Sequence, residues 1–455
     1  MLDAIFARFV EHSPVSVMMR ALMERTFSPD SIEEIFQKNS EVQYTRDLLF
    51  STVVNLMSLV VCGIHPSVNA AYKAKAVKLN VSRTSVYNKL NGVETAVSEA
   101  LLRDTCVPLV SLIQSWRDSS IGLVPGMKVR ILDGNCLAGT DHRLDVLKGQ
   151  GAKVLPGKSL VVLDPDLDLA INVFLCEDGH AQERRLFSQV LETVEPNELW
   201  IADRNMCTRD FLLGLNKKGA YFVIREHQTM PWEPVSELKS IGKIDTGLLL
   251  EQSVKITNGA ENLVMRRVLL RLFKPTQSGE KEIAIFTTLS SRQASTGQVT
   301  HLYRNRRTIE NLFQVVTENY QCEIKALGYP KAALFSFCLA LIAYNILATV
   351  RAALATVHGS GKIEAGLSSY YMVEEMQGVY RGMMIAIEPV HWEVFDSLPL
   401  TEFGDVLLFL SHQVRLLNFI KQPRGPKKKK APPIYDPKHP HLSTARLLEP
   451  SHNSP

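Results

Sequence analysis

Apolar positions along the chain change their period twice. Up to about residue 120 they recur every three to four residues, the spacing that lays one stripe of a helix against a core. Within this stretch Ser31 followed by Glu34 reads as a capped helix start. Residues 67–90 read as two short helices around a break at Leu79-Asn80, with Ser82 as N-cap and Val81, Val86 and Leu90 turned inward. From about 128 the apolar runs shorten and are separated by turn residues. Strands are expected over 129–133, 159–164 and 169–175, a helix over 181–193, a strand over 199–203, a helix over 208–216 and a strand over 221–225. Residues 247–256, 263–273 and 282–289 read as further strands, with Asn258-Gly259 as a turn. Helical spacing returns from Val299 through Thr317 and again from Lys331 to about Ala355.

Three strands, helix, strand, helix, strand is the order of a ribonuclease H-like core, an α/β layered fold. The expected organisation is a helical domain over 1–120, the α/β core over 121–225 and 297–358, a β-rich insertion over 226–296, a helical region over 359–421, and a basic, Pro-rich, disordered tail over 422–455. Two apolar stretches, 48–64 and 332–350, are open to a membrane-spanning reading. The first is marginal in length, and the second carries Ser336, Tyr344 and Asn345 and is closed by Arg351. A helix buried in a core has the same composition, and both stretches are taken as core, so no membrane partner is expected.

Composition adds modest limits. Hydrophobic residues make up 45% and charged residues 22% of 455, enough for a sizeable core. The net charge of +4 identifies no partner, but its distribution is uneven: Lys427 to Lys430 are consecutive, and Arg304, Arg306 and Arg307 lie in one strip. Seven cysteines without a Cys-x-x-Cys pair argue against a disulfide framework or structural zinc and for a reducing, cytoplasmic compartment. The outward residues of the second short helix, Arg83, Thr84, Ser85, Tyr87, Asn88 and Lys89, are types that bond base edges and phosphates. A helix-turn-helix DNA-binding element near 67–90 is therefore a candidate, and an ordinary helical hairpin fits the same stretch.

The candidate chemistry lies in three carboxylates. Asp133 and Asp203 each end an apolar run expected to form a strand. On a helix, Tyr303, Arg306 and Glu310 fall within about 60° of one another, so they share one face. Glu310 there can ligate a divalent ion, Arg306 can hold a phosphate, and the Tyr303 phenol can bond a backbone oxygen. Oxygen ligands from Asp133, Asp203 and Glu310 without a His/Cys set suit Mg²⁺ or Mn²⁺ over Zn²⁺. Such a site performs in-line phosphoryl transfer, with two ions about 4 Å apart activating a water or 3′-hydroxyl and stabilising the leaving oxygen. Each residue also has a plain structural role open to it: a turn at a strand end for the aspartates, as for Asp164, and a surface ion pair for the glutamate.

With these residues the chain resembles the DDE transposases of bacterial insertion sequences, in the insertion-sequence-four group. That group carries Tyr-x-x-Arg-x-x-x-Glu-x-x-x-x-x-x-Lys around its third carboxylate, matched by Tyr303, Arg306 and Glu310. Its lysine position is occupied by Thr317, a departure that leaves Arg307, Lys325 or another cation to substitute, or activity reduced. Asp133 in Leu132-Asp133-Gly134-Asn135 and Asp203 in Ala202-Asp203-Arg204-Asn205 fit the strand-end aspartates of the group, and the interval from Asp203 to Glu310 leaves room for its β-rich insertion. The resemblance implies cut-and-paste DNA transposition. Terminal inverted repeats would be bound by the helical domain, 3′ ends cut with Mg²⁺ or Mn²⁺ and joined to target DNA, and a homodimer would hold two ends in a nucleoid-associated complex. DNA contacts would come from Tyr303, Arg306, Arg307, Arg83 and Lys89. In some members a tryptophan of the insertion stacks on a flipped base during hairpin opening. Trp232 is the one tryptophan of the insertion here; a packing role is the favoured reading, and it is not taken as a site residue. The alternatives are a catalytically inactive DNA-binding derivative, which Thr317 favours, a structure-specific nuclease and a membrane protein.

Overall fold

The computed structural model describes residues 3–43, 47–76, 79–117, 122–137, 139–141, 144–148, 153–276, 278–422 and 441–449. The first helical stretch holds α1 Ala7–His12, α2 Pro14–Thr26, α3 Pro29–Asn39, α4 Phe50–Val61, α5 Val68–Lys75, α6 Arg83–Asn91 and α7 Thr95–Trp116. One start differs from expectation: α3 begins at Pro29, and Ser31 sits inside its first turn without capping it. Proline has its φ already set and lacks the N–H that a first turn leaves unbonded, so the start lies three residues earlier, with Ser28 at the N-cap position. Ser82 caps α6 as expected, its Oγ accepting from the Ser85 N–H at 3.1 Å.

The central region holds β1 Lys128–Cys136, β2 Lys153–Leu155, β3 Lys158–Asp164, β4 Leu169–Cys176, α8 Phe187–Glu192, β5 Glu198–Ala202, α9 Arg209–Lys217 and β6 Tyr221–Arg225. It continues with β7 Glu233–Pro234, β8 Lys239–Ile244, β9 Gly247–Asn258, β10 Glu261–Leu272 and β11 Glu282–Thr287. Then come α10 Thr296–Asn305, α11 Arg307–Asn319, α12 Pro330–His358, α13 Ser360–Gly366, α14 Ser369–Ala386, α15 Val394–Ser397 and α16 Leu400–Gln413, and finally β12 His441–Ser443 and α17 Thr444–Leu448.

The sheet runs β4-β3-β1-β5-β6-β11-β10-β9-β7, with β8 paired to β9. β3 is antiparallel to both β1 and β4, while β1, β5 and β6 are parallel. The fold is thus mixed α/β around a large mixed sheet with a helical region before it. The segment expected as an insertion continues that sheet: β11 pairs with β6, and β10 and β9 follow outward. Alternating strand residues feed two cores. Val129, Ile131, Val161 and Ile201 join the α7 and α12 side, and Leu132, Leu160, Trp200 and Phe222 join the α8 and α9 side. Between these layers Arg130 Nη1 and Nε bond Asp164 at 2.5 Å and Glu198 at 2.8 Å, so a buried cation ties three strands. Asp164 also closes its turn, accepting from the Asp166 and Leu167 N–H groups at 3.0 and 3.1 Å.

α12 is long and apolar enough to cross a membrane by length and composition, and its apolar window is wholly buried inside the protein. Its polar residues are used on the sheet. Asn345 bonds both the N–H and the C=O of Ala170 at 2.8 Å, and the Tyr344 hydroxyl donates to Asp168 at 2.5 Å. The helices from both ends of the chain pack together: α2 contacts α12, α14, α15 and α16. Arg25 donates to the carbonyls of Phe395 and Leu398, and Phe6 meets Trp392 edge-on at 5.0 Å. All seven cysteines are free thiols.

The tail expectation needs correction. Residues 423–440, with Lys427 to Lys430, and 450–455 lie outside the described residues. Residues 441–449 are ordered: β12 pairs in parallel with β2, Leu442 opposite Val154, and α17 follows. Its composition gives no hint of this, because the order is supplied by a strand far back in the chain.

Candidate active site

Two parallel strands bring the aspartates together. The β1–β5 ladder ends at the pair Leu132↔Ala202, so Asp133 and Asp203 are the next residues on neighbouring strands. Each accepts a local backbone bond, Asp133 from the Gly134 N–H at 2.9 Å and Asp203 from the Asn205 N–H at 2.8 Å, which starts a single 3₁₀ turn.

The third carboxylate arrives on α11. The continuous helix expected over 299–317 is divided at Arg306, where 3₁₀-type bonds run from its N–H to Tyr303 O and from the Ile309 N–H to Arg306 O. The tightened turn aims Arg306 into the site. Its Nη1 donates to Asp133 Oδ2 at 2.7 Å, and its Nη2 bonds Glu310 Oε1. Asp133 is mostly buried and Glu310 half exposed. Burial pushes the Asp133 carboxyl up to about 6; Arg306 pulls it back, and the charges of Asp203 and Glu310 raise it again. The Arg306 guanidinium stays firmly charged despite burial because Asp133, Tyr303, Glu310 and Asp203 all oppose its deprotonation.

Tyr303 is half-buried beside Arg306 and Arg225; burial raises its phenol and the two guanidiniums lower it. Arg225 is held in turn by Glu280 at 2.6 Å. Arg307 is exposed at the start of α11. Thr317 bonds its own helix, Oγ1 to Phe313 O at 2.6 Å, while Lys325 is exposed on the loop beyond. Arg83 is exposed on α6 and bonds Asn69 at 3.4 Å, and an open cleft of about 440 Å³ runs between Asn69, Arg83, Thr84, Tyr87 and Ala326. Lys89 departs from the outward placement expected: it is half-buried, with Nζ 4.0 Å from the centroid of the Phe36 ring, and burial lowers its pKa. Trp232 is packed: its Nε1 donates to Glu226 at 2.7 Å, and Arg267 lies over its ring at 4.8 Å while pairing with Glu226.

One acidic residue was missed. Glu183 packs against Gly134, its Oε1 filling the space a Cβ on that glycine would need. Burial and the charge of Asp203 raise the Glu183 carboxyl, and Lys158 lowers it. A glycine directly after Asp133 was the one available signal. Among the described residues no three His, Cys, Asp or Glu side chains are gathered closely enough to grip an ion in this arrangement, in which Arg306 lies between Asp133 and Glu310.

Residues 125–346 match the family model described as the transposase DDE domain. The fold is also similar to a cryo-EM structure of the piggyBac transposase synaptic complex with hairpin DNA. That likeness spans 88% of this chain and 87% of that chain at 12% identity and a TM-score of 0.43, too distant to carry weight. No curated protein matches. The matched segment takes in Asp133, Asp203 and Glu310.

Proposed function

We propose that the chain is an insertion-sequence DNA transposase with a ribonuclease H-like core. In this reading Asp133, Asp203 and Glu310 are its catalytic carboxylates, and it binds terminal inverted repeats, cleaves their ends and joins them to target DNA. The observation that carries the reading is the parallel register that sets Asp133 beside Asp203, with Arg306 joining Asp133 to Glu310 inside a segment matching the DDE domain.

The donor set suits a hard divalent ion: three oxygen ligands, one of them, Asp133, buried among like charges that need a cation. Asp133, Asp203 and Glu310 would hold Mg²⁺ or Mn²⁺, which would supply an activated water or 3′-hydroxyl and a stabilised leaving oxygen. The protein's own residues do the rest. Arg306 neutralises the carboxylates before DNA arrives, and its planar fork suits a phosphate once they no longer need it. Tyr303 accepts the Arg306 N–H through its carbonyl in the turn that aims Arg306. Exposed Arg307 and Lys325 are placed to neutralise backbone phosphates in the role left by Thr317. Arg83 and the cleft along α6 offer the second DNA surface, consistent with a helix-turn-helix role for α5 and α6. Lys89, drawn onto Phe36, would need to turn outward to join it.

The two ends handled by one reaction fit a homodimer in the synaptic complex. The experiment that separates transposition from simple nuclease activity incubates the protein with a labelled duplex of its own element's end, a target plasmid and Mg²⁺. Joined products are expected. Cleaved ends that never join point to a nuclease, and end binding without cutting points to the inactive derivative that Thr317 favours.

A further inference from the structure

Glu183 stands where it should not hold itself. Its Oε1 fills the space beside Gly134, next to Asp133, where burial first and the charge of Asp203 second raise its carboxyl and Lys158 lowers it, so the carboxylate is kept there by the loop that carries it. The preceding loop is clamped. Lys158 Nζ donates to Ala181 O at 2.8 Å. Gly179 presses on β2 so closely that a Cβ there would stand 2.7 Å from Leu155 Cβ.

The rest of the clamp comes from the other end of the chain. The Gly179 N–H donates to Ser443 Oγ at 3.1 Å, Arg446 Nε bonds Asp178 Oδ2 at 2.8 Å, and the rings of His180 and His441 approach to 3.0 Å between Nε2 and Nδ1. Ser443 and Thr444 are buried, although a three-residue ladder and a five-residue helix bury little apolar surface of their own. Specific polar bonds to the 178–180 loop therefore account for much of the attachment.

We propose that β12 and α17 form a positioning element of the active site, holding the 178–183 loop so that Glu183 stays against Gly134 as a fourth carboxylate beside the catalytic aspartates. This rests on the transposase reading above. Without these bonds the 178–180 segment loses its anchor, and Glu183 leaves Gly134.

The test uses the full-length protein in three forms: Ser443→Ala with Arg446→Ala, Glu183→Gln, and all three substitutions together. Global melting temperature, affinity for end DNA and single-turnover cleavage are measured on each. Cleavage is expected to fall about tenfold in the clamp pair and about 100-fold in Glu183→Gln, with DNA affinity unchanged and the triple variant no slower than Glu183→Gln alone. Arg446→Lys should recover most of the rate. Additive losses, or a clamp pair that cuts at the wild-type rate, overturn the proposal. Hydrogen exchange reads the positioning without catalysis: the amides of 178–183 should open in the clamp pair while the central strands stay protected. Equal exchange also overturns it. A wild-type protein that fails to cut, with the loop protected, would instead sink the transposase reading and the catalytic part of this one.

Discussion

A single guanidinium organises the site. Arg306 is the cation that lets Asp133 remain charged in a mostly buried position, and it spans to Glu310 on its own helix. Substituting Arg306→Met leaves that carboxylate without its partner, a change that costs about 1–3 kcal/mol. The pH sign follows from the folded carboxyl lying near 6, above its ordinary value of 3.8. The penalty of ionising it is absent below about 4 and complete above 6, and losing Arg306 pushes the folded value higher still. Thermal melts of Arg306→Met should thus show a larger deficit at pH 8 than at pH 5, with added Mg²⁺ restoring more stability to the variant than to wild type. An equal deficit at both pH values would mean that Arg306 does not compensate Asp133. Residue-scale legibility was uneven. The placing of Asp133 beside Asp203 and of Arg306 beside Glu310 could be read because short apolar runs and helical spacing are local, although β1 continues past Asp133 to Cys136. Glu183 and the inward turn of Lys89 onto Phe36 could not, because each is set by a neighbour distant in sequence.

At the scale of elements, the strand order was readable because short apolar runs bounded by turn residues alternate with helical spacing, and the parallel placement of β1, β5 and β6 follows from the helices between β5 and its neighbours. Boundaries moved where a local rule outranked the pattern, as with Pro29 opening α3 and the 3₁₀ turn at Arg306 dividing one expected helix into two. The join of α7 to the sheet contains a test. Glu99 accepts the Leu175 N–H at 2.7 Å, and burial pushes its carboxyl up to about 7, against the pull of that bond and of Arg103. A carboxyl raised in the folded state costs nothing below its unfolded value of 4.5, and the cost grows until pH 7. Glu99→Gln keeps an acceptor for Leu175 and removes the charge. It should stabilise the protein by about 2–3 kcal/mol at pH 8 and by almost nothing at pH 4, read from urea midpoints. A pH-independent difference would show that Glu99 is not buried as a charge.

At the scale of the molecule, the chain closes on itself in ways its local sequence could not announce. The first helices pack with the last ones through α2, and residues 441–443 pair with β2, a strand just beyond β1. The apolar stretch 332–350, open to a membrane reading on composition, is the buried spine between these layers, with Tyr344 and Asn345 bonded to the start of β4. Asp133 and Asp203 lie side by side on β1 and after β5, and the packing of α11 against β1 brings Glu310 to Asp133 through Arg306. The most direct test of their joint role is cleavage of a labelled inverted-repeat duplex by wild type and Glu310→Gln in Mg²⁺, with DNA binding measured on the same preparations. Wild type should cut at the element's end, and Glu310→Gln should bind as tightly and lose cleavage by at least about 1,000-fold. Metal-dependent cutting by Glu310→Gln at a rate near wild type would contradict the assignment of Glu310 to the catalytic site.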